Sequence, residues 1–350
     1  MADFVNNISA NIKEDEILYI YTRKIPAIKS LIEALKEIFR DVSIKFVPKT
    51  EEKDENGVIK IKGGMYITAL NSNSNILVRL HLEADKFGHY KCDPVQDENK
   101  KYIVLGVNMS NLFKLIKFLN NDDDLYMIFN KRSMNQLNLR YVNKAKKRVS
   151  DYYLNLLDLK EENIMIGKQK FDFVIMMPSN DFHSLIKNMS IIAEHVDIKF
   201  CSTNGNYSLI FSCEGEFASQ HSTFHTSYNN ASDQDPNNYG EENVINVLKY
   251  EKENENTDGD ADAAVNEKEN IVQGLYELKA LSLFSRCSQM CPTIELYIRN
   301  DSPLVIKYKV ADMGTVHLIL SPINSDDHCN NVSGSDSDND SEEDLADDVI

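Results

Sequence analysis

The sequence predicts an α+β protein made of two similar domains in tandem, each built from antiparallel sheets and two helices. Three observations predict it. Residues 30–46, SLIEALKEIFRDVSIKF, match residues 184–200, SLIKNMSIIAEHVDIKF, without a gap, and eight of the seventeen positions are identical. The offset of 154 residues is too long for a solenoid repeat and has the length of a domain. Within each half, a few stretches with helical spacing are outnumbered by short β-branched or alternating ones.

Taken in order, Ile28, Leu31, Leu35 and Ile38 recur at helical spacing and predict the first helix. It runs into a strand at Val42–Val47, where β-branched residues cluster. Segments 57–70 and 76–84 read as antiparallel strands. The polar stretches 49–57 and 94–101 read as insertions at turns, which cost little closure entropy. Leu112, Leu115, Ile116 and Leu119 predict a second helix over 110–119, with Ser110 as its N-cap. Strands at 124–130 and 136–142 complete the half, and 154–171 reads as a connecting segment. The second half repeats the order. A helix over 179–192 starts at Ser179 after Pro178, strands follow near 196–201 and 207–212, and a last helix spans 275–287. Strands at 293–299, 303–311 and 315–321 close the chain's ordered part. The expected division is therefore 16–153 for the first domain, 154–171 for the connection and 172–323 for the second domain.

Hydrophobic residues at 42% and charged residues at 27% give the composition of a globular protein. No apolar run approaches the roughly 20 residues of a membrane-spanning helix, so no membrane partner is expected. The start, MADFVNNISANIKEDE, lacks the basic-then-apolar profile of a signal peptide. Six cysteines, at 92, 201, 213, 287, 291 and 329, show no metal-ligand spacing and read as reduced thiols of an intracellular protein.

The net charge of −17 argues against a nucleic-acid partner until it is divided along the chain. Residues 324–350 hold ten acidic residues and no Lys or Arg; residues 228–270 hold twelve acidic against three basic. Removing both leaves the rest of the chain at about +2. Both acidic segments are rich in Asn, Asp, Ser and Glu and too poor in apolar residues to order themselves, so 324–350 reads as a disordered tail. One apolar island, Val244–Tyr250, reads either as a strand or as a docking segment within the insertion.

Catalytic constellations are missing from the sequence. It has no Walker loop, no dinucleotide-binding glycine pattern and no nucleophile elbow. Asp122, Asp123 and Asp124 lie between a helix end and a strand and read as an exposed turn. Asp336, Asp338 and Asp340 lack the glycine and terminal glutamate of a calcium loop. No enzyme, metal or cofactor is expected. What remains is a charge pattern on helices. Lys29, Lys36 and Arg40 fall within about 40° of one another around the first helix. The second helix offers Lys114 and Lys117, the third Lys187, and the fourth Lys279, Ser282 and Arg286. Lys144, Lys146, Lys147 and Arg148 add a basic cluster near the connection. An ordinary solvated helix face is the plain alternative, but each stripe opposes an apolar one, and such stripes contact phosphates without reading bases.

Six stretches stand out as family motifs. The most specific is PLVIKYKVADMG at 303–314, within Asp301–Pro322. Others are SLIEALKEI (30–38), HYKCD (89–93), LGVNMSNLFKLIK (105–117), VSDYYLNLLDL (149–159) and MMPSNDFHSLIKNMS (176–190). In these residues and in their order the chain resembles the proliferating cell nuclear antigen family of DNA polymerase sliding clamps. The resemblance implies a DNA clamp: a homotrimeric closed ring of six like domains around double-stranded DNA, with helices lining the hole. It implies DNA-facing roles for Lys29, Lys36, Lys114, Lys117, Arg148, Lys187 and Arg286. Lys279 matches another basic position, and Arg40 joins them from the helix stripe. Ser30 stands where the family has a second Lys, and Ile191 where it has a polar residue.

The same resemblance makes 154–171 an interdomain connecting loop that receives short docking motifs from DNA polymerase, the clamp loader and other replication or repair proteins. Ile164, Ile166 and Phe171 match its apolar positions, and Leu70, Pro303, Ile319, Leu320 and Pro322 match the remaining pocket wall. Strand alternation sends either Ile319 or Leu320 into the core. Gly167 replaces the family's proline. Ring closure is implied between Lys147–Asn155 and Phe217–His225, and the compartment is the nucleus or a viral replication site. Two other readings compete: a checkpoint-type clamp subunit of a mixed ring, and an acidic chaperone on a clamp-like core.

Overall fold

The two halves follow one plan, and the strand ladder that joins them is the key to the architecture. The structure, a computed structural model, describes residues 15–53, 59–94, 101–160, 164, 170–203, 206–227, 245–250, 270–300 and 302–323. The first half runs β1 (Glu16–Thr22), α1 (Ile25–Ile38), β2 (Asp41–Lys53), β3 (Ile59–Leu70), β4 (Ile76–Glu83), β5 (His89–Cys92), β6 (Ile103–Asn108), α2 (Met109–Ile116), β7 (Asp124–Asn130), β8 (Ser133–Asn143) and β9 (Arg148–Asn155). The second runs β10 (Phe173–Pro178), α3 (Ser179–Ile192), β11 (His195–Thr203), β12 (Asn206–Glu214), β13 (Ser219–Ser227), β14 (Asn246–Tyr250), β15 (Asn270–Glu277), α4 (Leu278–Leu283), β16 (Thr293–Ile298), β17 (Leu304–Lys309) and β18 (Gly314–Leu320).

Local chemistry explains these elements. Pro26 sits in the first turn of α1, where its missing N–H is no loss, and Ile25, Ile28, Leu31, Ile32, Leu35 and Ile38 form the buried stripe. β4 alternates buried and half-buried residues along its whole length, as a strand with one face in the core must. α2 is capped by Asn108, whose side chain accepts a hydrogen bond from the Asn111 N–H at 3.0 Å; Ser110, the expected cap, lies inside the helix. Ser179 is likewise the first helical residue of α3 rather than its cap, and it is buried.

The pairings repeat between the halves. β1 pairs β5 and β7 as β10 pairs β14 and β16. β2 pairs β3 and β6 as β11 pairs β12 and β15. β3–β4 matches β12–β13, β7–β8 matches β16–β17, and β8–β9 matches β17–β18. One further pairing joins the halves: β18 runs antiparallel to β4 from Gly314 opposite Leu82 to Leu320 opposite Ile76. The result is a nine-stranded sheet shared by both halves, flanked by a five-stranded sheet ending in β9 and a four-stranded sheet ending in β13. One apolar cluster runs through both halves. Asn75 at the junction also donates to Glu277 at 2.8 Å, tying the halves by side chains.

Three further sequence expectations change, and one open alternative is settled. Of the polar stretch 49–57, expected as an insertion at a turn, residues 49–53 belong to β2, with Thr50 opposite Lys62 and Lys53 opposite Ile59, so they lengthen the β2–β3 ladder. The helix expected over 275–287 is a strand to Glu277, then short α4, then a 3₁₀ turn over Phe284–Gln289. The apolar island at 244–250 resolves to a strand, β14, at the edge of β10. Asp123 and Asp124 are 1% exposed rather than an open turn. The acidic tail and most of the 228–270 insertion lie outside the described residues.

Candidate nucleic-acid interface and docking surface

The four helices form one layer. α1 packs on α2 and on the 3₁₀ turn 284–289 of the other half, while α3 packs on α4 and on that same turn. Their apolar stripes face the sheets, so their polar faces share the other side. Lys114, Lys117, Lys187 and Lys279 stand exposed there. Among the described residues, no ion pair engages any of these four. Arg40 is also open, with its side chain 88% exposed and Asp41 3.8 Å away. Arg148 is exposed at the start of β9. The Arg286 side chain lies outside the described residues.

Two of the expected DNA-facing lysines are already occupied. The Lys29 ammonium donates to the Leu119 carbonyl just beyond α2, where unsatisfied carbonyls favour a cation. Lys36 is half-buried, 3.1 Å from Glu37 and 4.0 Å above the Phe113 ring. Both hold α1 to α2 and present less charge outward than sequence position alone suggests.

The buried aspartates fix the basic edge. Asp123 accepts from the Asn120 backbone N–H at 2.8 Å, from the Asn120 side chain at 3.0 Å and from Asn143 at 2.5 Å. Burial works against its ionisation, but these hydrogen bonds, with Arg148 adding to them, prevail and hold its pKa below the usual carboxylate value. Asp124 takes Arg23 at 3.2 Å and Lys144 at 2.7 Å. The end of α2 and the basic β8–β9 hairpin are thereby held together. Cys287 and Cys291 are free thiols packed in the apolar core, and burial raises their pKa values.

Comparison with known proteins decides the family. The model of the proliferating cell nuclear antigen N-terminal domain matches residues 23–163, and that of its C-terminal domain matches residues 238–323. Together they cover about two-thirds of the chain. The chain belongs to the proliferating cell nuclear antigen family. Among curated relatives, a probable DNA polymerase sliding clamp of Paramecium bursaria Chlorella virus 1 is 27% identical over 311 residues, 89% of this chain and 98% of that protein. A probable DNA polymerase sliding clamp of Acanthamoeba polyphaga mimivirus is 26% identical over 337 residues. That match takes in 89% of this chain but 63% of the mimivirus protein, so the chain spans less than two-thirds of that relative.

Phe171 and Ile319, two of the residues expected to receive docking motifs, lie on the outer face of the β17–β18–β4 junction. Phe171, Val305 and Ile319 form a small apolar cluster there, with Leu77 and Tyr297 packed against it. Phe171 meets Tyr297 edge-on at 5.4 Å. Ile319 thus lies on the outer face and Leu320, 1% exposed, points into the core, as alternation requires. Leu70 is 39% exposed at the end of β3, and Ile164, Pro303 and Pro322 are half-buried. Ile166 and Gly167 lie outside the described residues. The connection starts by bridging Leu157 to Gly106, where any side chain would collide with the Leu157 carbonyl.

His317 stands on the same outer face, opposite Lys307 and Arg79 in the ladder, and its Nε2 is buried without a hydrogen-bond partner. Burial first, then the Lys307 and Arg79 charges, lower its pKa from 6.5 to about 4, while Glu295 opposes them. The unfolded chain therefore binds more protons between these values, so this residue's contribution to stability is complete above pH 6.5 and shrinks as pH falls toward 4. His317→Gln is expected to flatten the acid-side fall in thermal midpoint across that window. An unchanged difference between pH 7 and pH 4.5 would refute the assignment.

Phe118, Tyr153 and Phe217 are exposed aromatics, at 60%, 61% and 74%; Tyr153 and Phe217 fall in the two segments expected to close a ring, and sequence reasoning passed over only Phe118. Phe118 follows α2, Tyr153 lies on β9, and Phe217 precedes β13. Alternation of Val149, Asp151 and Tyr153 was the available signal for a strand with one face uncovered.

Proposed function

We propose that this chain is a DNA polymerase sliding clamp, a non-catalytic ring of three copies that encircles duplex DNA and tethers the polymerase. One observation carries the reading. The halves are joined by β4 of the first and β18 of the second, and the counterparts of those strands, β13 and β9, are left as unpaired edges. Pairing β9 of one copy with β13 of the next would repeat the domain junction between subunits. It would also remove two open edges that otherwise invite unspecific pairing. Such a head-to-tail contact closes into a ring when the rotation closes. The family supplies the count of three, hence six domains, and the domain limits 16–153 and 172–323 fit the same plan.

The helix layer would then face the hole, where Lys114, Lys117, Lys187 and Lys279, with Arg40 and Arg148 near its edge, contact phosphates in a sequence-independent way. The junction's outer face would take apolar docking segments of the polymerase and the clamp loader. The names of the viral relatives support a replication role, and with it a viral replication site as the place of action.

The test is topological. After loading, the protein is expected to stay on closed circular duplex through a high-salt wash and to leave once the circle is cut, because a ring slides off a free end. Equal retention on cut and intact circles would overturn the ring.

A further inference from the structure

The outer face of the shared sheet carries two rows of side chains that run across its strands. The β16–β17, β17–β18, β18–β4 and β4–β3 ladders set Tyr297, Val305, Ile319, Leu77 and Leu70 side by side. Apart from the Tyr297 hydroxyl this row is apolar, and it holds the Phe171 cluster. Two residues along each strand, the same ladders set Glu295, Lys307, His317, Arg79 and Thr68 side by side. Two residues of a strand span roughly 6.6 Å, so a chain anchored on the first row holds its next side chains over the second.

The second row carries positive charge that nothing on this face balances. Glu295 is taken: the Lys307 ammonium donates to it at 3.1 Å and the Tyr297 hydroxyl at 2.6 Å. β16 lies three strands from β4, roughly 14 Å across the sheet, so that carboxylate does not serve Arg79. Glu83, four residues beyond Arg79 on the same face, turns to Lys86 at 3.8 Å. Among the described residues no hydrogen bond or ion pair engages the Arg79 guanidinium, although Arg79 is half-buried. His317 beside it adds no negative charge. Its Nε2 is buried without a partner, and burial, then the charges of Lys307 and Arg79, keep the ring neutral at pH 7. A partly desolvated cation without a counter-ion gains most from an anion that a partner brings.

We propose that Arg79 is the charge-selecting residue of the docking surface, and that it takes a carboxylate which the partner's docking segment carries directly beside its apolar anchors. The proposal deepens the docking reading above and rests on it. The guanidinium fork matches a carboxylate through two parallel N–H···O bonds, whereas a lysine in that place would meet Arg79 and Lys307 with like charge. The apolar row supplies affinity. Arg79 sorts among segments that share the same apolar anchors.

The test uses the full chain and a labelled peptide with an apolar turn followed by two aromatics. The peptide is made with glutamate, glutamine or lysine at each position around the turn, one position at a time. At about 50 mM salt, one position is expected to favour glutamate over glutamine by about fivefold or more and to disfavour lysine, a preference that shrinks as salt rises. Arg79→Gln is expected to erase the preference while the glutamine peptide keeps its affinity. Arg79→Glu is expected to reverse it, so that lysine binds best; a residue that only shaped the sheet would not exchange preference with the peptide. If the glutamine peptide binds, Leu70→Ala with Leu77→Ala weakens it, and no position separates glutamate from glutamine, charge selection is overturned and the docking surface stands. A preference that survives in Arg79→Gln overturns the assignment to Arg79. Tighter binding of all three peptides to Arg79→Gln puts an acidic segment of the chain itself on the row and overturns the assignment to a partner. A folded chain that binds none of the peptides overturns the docking reading, and this proposal with it.

Discussion

Alanine at Lys114, Lys117, Lys187 and Lys279 together is expected to lower affinity for duplex DNA by at least about a hundredfold near 0.1 M salt, and to flatten the salt dependence. Each phosphate that a lysine no longer neutralises takes close to one unit off the slope of log affinity against log salt, so four substitutions change the slope by on the order of four. The four are exposed and form no ion pair among the described residues, so folding should not suffer. Lys29 provides the contrast. Its ammonium serves the Leu119 carbonyl, so Lys29→Ala should lower the thermal midpoint more than it lowers the DNA slope. The acidic segments act in the opposite sense. Deleting 324–350 removes ten negative charges that begin beyond Ile323, whose N–H donates to Leu275 at 2.8 Å, three residues before α4. That deletion should tighten DNA binding, with a gain that fades as salt shortens the screening length. Equal salt slopes for the lysine variant and the unaltered protein, measured by titration at four or more salt concentrations, would refute the helix layer as the DNA surface.

The sequence exposed the repeat, the helix stripes and the strand-rich class because these rest on local periodicity. α3 was legible to the residue, since Pro178 marks its start, and α1 showed its apolar stripe from Ile28 to Ile38. α4 was not legible. Leu275 and Tyr276 continue the helical spacing upstream, yet β15 is held on β11 by pairs such as Leu275 with Asp197, and tertiary pairing prevailed over local pattern. The β2–β3 extension was hidden for a related reason. Thr50, Glu51 and Glu52 look like a polar turn, but hairpin strands extending into solvent have no apolar face to reveal them. At the candidate site, residue type gave the lysines but not their state. Only the structure places Lys29 and Lys36 in contacts within the chain, and only the ladder distinguishes Ile319, facing out, from Leu320, facing in. The equivalence of β9 with β18 and of β13 with β4 is a property of three-dimensional pairing. It is read from the ladders that pair β4 with β18 and leave β9 and β13 at sheet edges.

Replacing Leu70 and Leu77 by Ala is expected to weaken binding of a polymerase-derived docking peptide, an apolar turn followed by two aromatics, by roughly tenfold to a hundredfold. Leu70 is 39% exposed and Leu77 half-buried beside the Phe171–Val305–Ile319 cluster, so both offer surface that a partner's apolar side chain would cover. Neither belongs to the main core, and truncating them should leave the trimer and its retention on circular DNA unchanged. The cluster itself is a different case. Phe171 lies over Val305 and Ile319, which are 0% and 7% exposed, so Phe171→Ala would remove packing within the chain as well as a docking contact, and its effect would mix the two. The Leu70 and Leu77 pair separates them. Affinity is also expected to be flat between pH 6 and pH 8 with respect to His317, because that ring, with its pKa near 4, stays neutral throughout and brings no switching charge beside the peptide. Fluorescence anisotropy with a labelled peptide, read alongside the solution mass of the variant, measures both. A folded trimer of the double variant that binds the peptide as tightly as the unaltered chain would rule out this face as the docking surface.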